Sequence, residues 1–265
     1  MTETAPQAWE PDHYLRFADL RVRPALDLLA RVPVDAPARV TDLGCGAGNI
    51  TPLLCARWPA AEVTALDSSP DMLAHAKAEH ANLGVAWDQA DVRTWSPGMP
   101  QDVIYSNAVL HWVDDHADLF PRLMGDVAAG GVLAVQMPNQ YAEPSHALMR
   151  AVAASGPWAE TLAPLLREAP VADMGDYYDW LQPVSAALDI WETTYAQPLD
   201  GEDAVLDWIG STSLKPLLEA LDDKTRPAFR DALAGELRHA YPRRSDGKTV
   251  FAFKRLFIVA TKAAE

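Results

Sequence analysis

The segment that most constrains this chain is Asp42-Leu43-Gly44-Cys45-Gly46-Ala47-Gly48-Asn49, a glycine-rich turn set between two differently patterned stretches. Arg39-Val40-Thr41-Asp42-Leu43-Gly44 reads as a buried strand that ends at a glycine. Ile50, Leu53, Leu54 and Trp58 then fall on one helix face. Glycines at a strand-to-helix turn let the backbone approach a ligand closely and adopt conformations closed to other residues. A nucleotide-type ligand is therefore expected at the carboxyl end of the first strand. The spacing is G-x-G-x-G, and Asn49 stands where the dinucleotide-binding motif has its third glycine, which disfavours a nicotinamide dehydrogenase.

Strand-like and helical patterns alternate from about residue 38 to 137. Glu62–Asp67, Val85-Ala86-Trp87, Val103-Ile104-Tyr105-Ser106 and Val132-Leu133-Ala134-Val135 read as further strands. Between them, Pro70 to Glu79 reads as a helix capped by Ser69, and Leu119 to Ala129 as a helix stopped by Gly130-Gly131. Such alternation implies right-handed crossovers and a mostly parallel sheet. Beyond Pro138 the pattern changes: 143–182 looks largely helical, Leu188 to Tyr195 strand-like, 201–240 helical again, and Ala252 to Thr261 a long last strand. The expectation is one α/β domain over 1–265, Rossmann-like and doubly wound. Its seven-stranded, mostly parallel sheet carries an antiparallel edge strand. Helical insertions at about 143–172 and 201–243 have no place inside such a sheet and are expected to form a substrate lid.

Carboxylates stand at the strand ends where a cationic ligand would need them. Asp42 stands in the first strand just before the glycine turn, Asp67 closes the second, where a carboxylate can accept both hydroxyls of a ribose, and Asp91 the third, placed to receive an adenine amino group. Together with the glycine turn they suit a cationic adenosine ligand without phosphates, and S-adenosylmethionine is such a ligand.

The charge balance excludes other partners. With 22 Lys+Arg against 37 Asp+Glu the formal net charge is −15, so nucleic acid, bound through clustered basic residues, is not expected, and neither is an anionic membrane surface. The start, Met1-Thr2-Glu3-Thr4-Ala5-Pro6, lacks the basic and apolar regions of a signal peptide, and no run of 18 apolar residues occurs. A cytoplasmic location is expected, with Cys45 and Cys55 as free thiols in a reducing compartment. No residue spacing suggests a metal site, and none is expected; a monomer is favoured.

The runs D-L-G-C-G-A-G-N, A-L-D-S-S-P, Q-A-D-V and Y-S-N-A-V-L-H-W resemble the class I S-adenosylmethionine-dependent methyltransferases over about residues 38–137. The resemblance implies that the backbone at Gly44 and Gly46 faces the methionine end of the cofactor and Asp67 its ribose, with Asp42 also assigned to the cationic cofactor. Ser68 and Met72 would flank the adenine, Asp91 and Val92 hold its edge, and Asn107 face the methionine part and the reacting centre. A narrower resemblance covers almost the whole chain. Arg21-Val22-Arg23-Pro24-Ala25, Val132–Pro138 with its Q-M-P, Asp189-Ile190-Trp191-Glu192-Thr193-Thr194-Tyr195 and Arg255-Leu256-Phe257-Ile258-Val259-Ala260 are similar to the trans-aconitate methyltransferase family.

That family esterifies one carboxylate of trans-aconitate, so the resemblance implies a small polycarboxylate substrate and an O-methyltransferase activity. A carboxylate is already ionised at neutral pH and needs no general base; the enzyme contributes alignment and partial desolvation. Arginines are the natural holders of a polyanion, because the guanidinium pairs bidentately with carboxylate. Arg23 and Arg255 are favoured since both lie in segments matching the narrower family, with Arg21 and Arg244 behind them. His111 is the third candidate for a catalytic part, as a donor to a carboxylate. Trp112 is a candidate wall of the transfer channel, and Tyr14 a candidate cover over the cofactor. Two alternatives stay open at this point: a class I methyltransferase of another small acid or small molecule, and a non-catalytic cofactor-binding protein.

Overall fold

A computed structural model describes residues 18–167 and 169–264. They fall into two compact units, one of Val22–Asn139, Ala169–Tyr195 and Phe253–Glu265, the other including Gln140–Glu168 and Ala196–Ala252. Tyr14 and the side chain of Arg21 lie outside the described part.

The sheet has seven strands: β1 (Arg39–Leu43), β2 (Glu62–Asp67), β3 (Ala86–Gln89), β4 (Gln101–Asn107), β5 (Val127–Pro138), β6 (Ala187–Leu199) and β7 (Thr249–Thr261). Their spatial order is β3-β2-β1-β4-β5-β7-β6. β1 to β5 run parallel, and β7 joins β5 antiparallel. The chain therefore reverses direction across the sheet between β1 and β4, the switch point at which open α/β sheets bind their ligands. This is the mixed, doubly wound sheet expected from the alternation. The helices of this unit are α1 (Ala18–Leu29), α2 (Thr51–Arg57), α3 (Pro70–Glu79), α4 (His116–Gly125) and, further on, α7 (Met174–Leu181).

Alternation of side chains along the strands sorts them onto two faces. Leu43, Ile104, Leu133, Val135, Leu256 and Ile258 pack on one face against Leu119, Phe120, Leu123 and Met124 of α4 and Tyr177 and Leu181 of α7, all buried. Each of these side chains contributes about 1.5–3 kcal/mol by leaving water. The other face presents Asp42, Tyr105, Asn107, Ala134, Gln136 and Phe257, which lie abreast in the strand register. Tyr105 is fully buried there and donates from its hydroxyl to the carbonyl of Ala25 in α1 at 2.7 Å.

Ser69 caps α3 as expected, accepting from the Met72 amide at 3.3 Å with Pro70 at the first position. The fourth helix departs from expectation. It ends at Gly125, not Gly130-Gly131, and β5 opens at Val127. Five residues of β5 lie opposite two of β4 here, because the register jumps from Gln101↔Val127 to Val103↔Val132. Gly130 turns at φ +72°, and a Cβ on Gly131 would meet the Asp102 carbonyl oxygen at 2.8 Å. The two glycines form a bulge in a strand, which a helix-stop reading of the same pair does not distinguish.

The second unit is helical: α5 (Pro144–Ala153), α6 (Ala159–Leu162), α8 (Ala204–Gly210), α9 (Lys215–Glu219) and α10 (Thr225–Ala240). Trp158 meets Phe229 of α10 edge-on at 5.2 Å, and the Ser145 amide at the start of α5 donates to the Tyr241 hydroxyl at 3.0 Å. Residues 169–172 group with the sheet unit.

Candidate active site

The glycine turn is held by β2. The amides of Gly44 and Cys45 both donate to the Leu66 carbonyl, at 2.8 and 2.9 Å. Gly44, Gly46 and Gly48 all have positive φ, +78°, +56° and +79°, the left-handed region that favours glycine. The three differ in surroundings. A Cβ on Gly44 would lie 2.4 Å from a methyl of Val109, and one on Gly48 would lie 2.8 Å from the His80 ring, whereas one on Gly46 would meet none of the described residues within 4 Å. Among the described residues Gly46 thus has room beside its backbone, whereas Gly44 and Gly48 are bare because neighbours occupy the space.

Asp67 organises the open side of this turn. One oxygen accepts from the Gly46 amide and the other from the Ser69 amide, each at 2.9 Å. Each keeps a lone pair for a ligand hydroxyl. Asp42 is buried and accepts from the Thr51 hydroxyl at 2.6 Å. Burial pushes its carboxyl up to about 6 against the lowering effect of that bond, and the Asp67 carboxylate nearby adds to the rise. Of the residues expected at the adenine, Ser68 is exposed and its carbonyl accepts from Gln89, while Met72 is half-buried. Val92 is buried, its carbonyl taken by the Arg122 guanidinium. Asp91 is clasped on both oxygens by Arg93, which holds its carboxyl below the usual range. An adenine amino group would share that carboxylate with Arg93.

Asn107 closes β4, and its Oδ1 is buried without a hydrogen-bond partner among the described residues. Beyond it the chain turns sharply. Ala108 takes φ +57° and donates from its amide to the Gln136 carbonyl at 2.8 Å, Val109 presses on Gly44, and Leu110–Trp112 forms one 3-10 turn. His111 and Trp112 stand in that turn with ring centroids 4.7 Å apart, Trp112 about half exposed at 51%.

One of the favoured arginines stacks on a residue not singled out from sequence. The Arg23 guanidinium lies 4.9 Å from the centre of the Tyr195 ring, and the Tyr195 hydroxyl donates to Asp27 at 2.6 Å. Burial and the Asp27 bond raise the phenol's pKa, and the charges of Arg23 and Arg255 both pull against that rise. Arg255 is itself buried, at 4% exposure; its guanidinium covers the Phe253 ring at 3.9 Å and donates to Gln136 Oε1 at 3.3 Å. Along the carboxyl edge of the parallel strands the side chains therefore change character in strand order. They run from Asp67 on β2 and Asp42 on β1, through the amides of Asn107 on β4 and Gln136 on β5, to Arg255 on β7.

A family of proteins described as "Methyltransferase domain" matches residues 40–131. The trans-aconitate 2-methyltransferase of Methylobacterium radiotolerans is 50% identical over 97% of this chain and 99% of its own. That of an Azoarcus species is 49% identical over 96% and 99%. The chain belongs to the trans-aconitate 2-methyltransferase family. Among solved structures, the YcgJ protein of Bacillus subtilis shares the fold at a TM-score of 0.57 and 13% identity, covering 91% of this chain and 98% of its own.

Within this member of the family, a further pair fixes the turn that carries His111. The His116 ring is buried between the Leu110 carbonyl, 2.9 Å from Nε2, and the Tyr177 hydroxyl, 2.6 Å from Nδ1. A carbonyl only accepts, so Nε2 is the donor, and in the neutral ring Nδ1 accepts the phenolic proton. Tyr177 in turn accepts from the Ala172 amide at 3.4 Å. The partnership spans two helices far apart in the chain, and no local pattern encodes it. The Asp-Ile-Trp-Glu-Thr-Thr-Tyr run was a signal for Tyr195, as a family match outside the cofactor motifs. Arg244 is exposed in the helical unit, in a turn where its amide donates to the Lys248 carbonyl at 2.8 Å.

Proposed function

We propose that this protein transfers the methyl group of S-adenosylmethionine to a carboxylate oxygen of trans-aconitate. The observation that carries the reading is the ordered change of charge along the sheet edge, acidic at β2 and β1 and basic at β7. It suits a cationic ligand and a polyanionic one placed side by side. The cofactor end fits on this chain's own features: among the described residues, a buried acceptor at Asn107 without a partner and room beside Gly46, with a carboxylate at Asp67 already oriented by two amides.

When bound, S-adenosylmethionine supplies a methyl group activated by a positively charged sulfur. Asp67 would hold the ribose hydroxyls, Gly44 and Gly46 allow the backbone to come close, and Asn107 accepts from the amino group. Asp42, buried in the floor, favours positive charge over it. On the other side, Arg255 and Arg23 hold substrate carboxylates, and Tyr195, locked by Asp27, supports the Arg23 guanidinium. His111 donates a hydrogen bond to the acid from the turn beyond Asn107, and Trp112 beside it keeps water from the reacting oxygen. No residue has to remove a proton, because the acid is ionised at neutral pH. We take the enzyme to be a cytoplasmic monomer; no described helix is long and apolar enough to cross a membrane.

Incubation of the purified protein with methyl-labelled S-adenosylmethionine and a panel of acids tests the proposal. The expected product is a monomethyl ester of trans-aconitate, identified by mass. Labelling of trans-aconitate no faster than of citrate, malonate or buffer alone would overturn it.

A further inference from the structure

We infer that Gln136 is a substrate-binding residue of this enzyme, its Nε2 donating to a carboxylate of the acid beside Arg255. This rests on the carboxylate-methylating function proposed above and adds to it the residue between the cofactor end and the arginines.

Gln136 breaks an otherwise apolar strand, Val132-Leu133-Ala134-Val135-Gln136-Met137, and is 1% exposed. A buried amide normally has all its hydrogen bonds made, since an unmade one costs about 1–3 kcal/mol. Here the two ends of the amide differ. Oε1 accepts from Arg255 Nη1 at 3.3 Å, while Nε2 has no partner among the described residues. The amide cannot be turned over, because its NH2 group would then face a guanidinium, donor against donor. Arg255 thus orients Gln136 and leaves its donor end unused.

The neighbouring strand repeats the situation with the opposite sign. Asn107 lies directly abreast of Gln136 in the β4–β5 register, and its Oδ1 is a buried acceptor that also lacks a partner among the described residues. Adjacent in the sheet, the two amides leave one acceptor and one donor unmet, and they do not meet each other. The acceptor stands on the side of Asp42 and the glycine turn, and the donor on the side of Arg255. A cationic amino group would answer the first and a carboxylate the second. The Arg255 charge strengthens the second site, because a carboxylate there receives a charge-assisted bond as well as the amide's.

The test uses the full-length enzyme with steady-state kinetics in both substrates, calorimetric binding of S-adenosylhomocysteine, and thermal unfolding. Gln136→Glu keeps an acceptor for Arg255 but removes the donor and adds a negative charge; Gln136→Leu removes both ends. The expected result is a KM for trans-aconitate raised about tenfold or more in Gln136→Leu, and further in Gln136→Glu. The KM for S-adenosylmethionine and the affinity for S-adenosylhomocysteine should stay within about twofold. An acid KM unchanged in both variants, or acid and cofactor affinities falling together, would overturn the assignment. Wild-type turnover of trans-aconitate, measured alongside, reports separately on the functional proposal: without it that proposal fails whatever the variants do.

Discussion

Val109 occupies the space in which Gly44 would carry a side chain, its methyl groups 2.4 and 2.5 Å from the position of a Cβ. The turn after β4 is thereby pressed against the turn after β1, and the segment bearing Asn107 and His111 takes its position from a missing methyl group.

Gly44→Ala should therefore act at a distance. Its φ of +78° costs an L-residue about 1–2 kcal/mol, and the collision with Val109 about 1–3 kcal/mol more. Displacement of Val109 moves Asn107, so S-adenosylhomocysteine binding should weaken by about tenfold or more. Gly46→Ala, with the same sign of φ but open space around it, should destabilise the free protein less. Thermal unfolding and calorimetry on the two variants check the order.

The buried Asp42 makes stability and cofactor affinity depend on pH in opposite senses. Its carboxyl is raised to about 6 from an ordinary value near 3.8. The folded protein therefore binds more protons than the unfolded chain between those values, and stability of the free protein falls as pH rises through them. Asp42→Asn retains an acceptor for Thr51 and removes the charge. It should unfold at the wild-type temperature near pH 4 and at a higher one at pH 8, the difference amounting to about 3 kcal/mol at most. Affinity for S-adenosylmethionine should fall in the wild type as pH drops below about 6, and lose that pH dependence in the variant. A stability difference equal at both pH values would refute the assignment.

The arginines and Asp67 should divide the two substrates between them. Arg255→Ala and Arg23→Ala each remove a charge-assisted contact to a carboxylate, worth about 1.5–3 kcal/mol, and should raise the acid's KM about tenfold to a hundredfold with little effect on the cofactor's. Arg23 is exposed, so its variant should unfold as the wild type does; Arg255 is buried, so its variant should also lose stability. Asp67→Ala should do the reverse, raising the KM for S-adenosylmethionine. Equal effects of all three on both substrates would show the arginines wrongly placed.

Tyr177→Phe leaves His116 Nδ1 buried without its donor, which should cost about 1–3 kcal/mol. Because His116 also holds the Leu110 carbonyl, kcat should fall while Arg23→Ala leaves it nearly unchanged. Thermal unfolding together with saturating kinetics separates the two effects.

The parts of the site that lie on contiguous chain were legible in the sequence. Gly44, Gly46, Asp67 and the Ser69 cap follow from strand-to-helix turns whose backbone demands are local, and the mostly parallel sheet follows from alternating β and α patterns with right-handed crossovers. The Gly130-Gly131 pair was misread because a bulge and a helix stop ask for the same residue. What the tertiary structure alone decided is which distant residues become neighbours: Val109 with Gly44, His116 with Tyr177, Arg23 with Tyr195, and Arg255 with Gln136. Such pairings are set by strand register and by which helix lies on which face. The resulting gradient from carboxylates at β2 and β1 to a guanidinium at β7 exists only once β7 has joined the sheet beside β5.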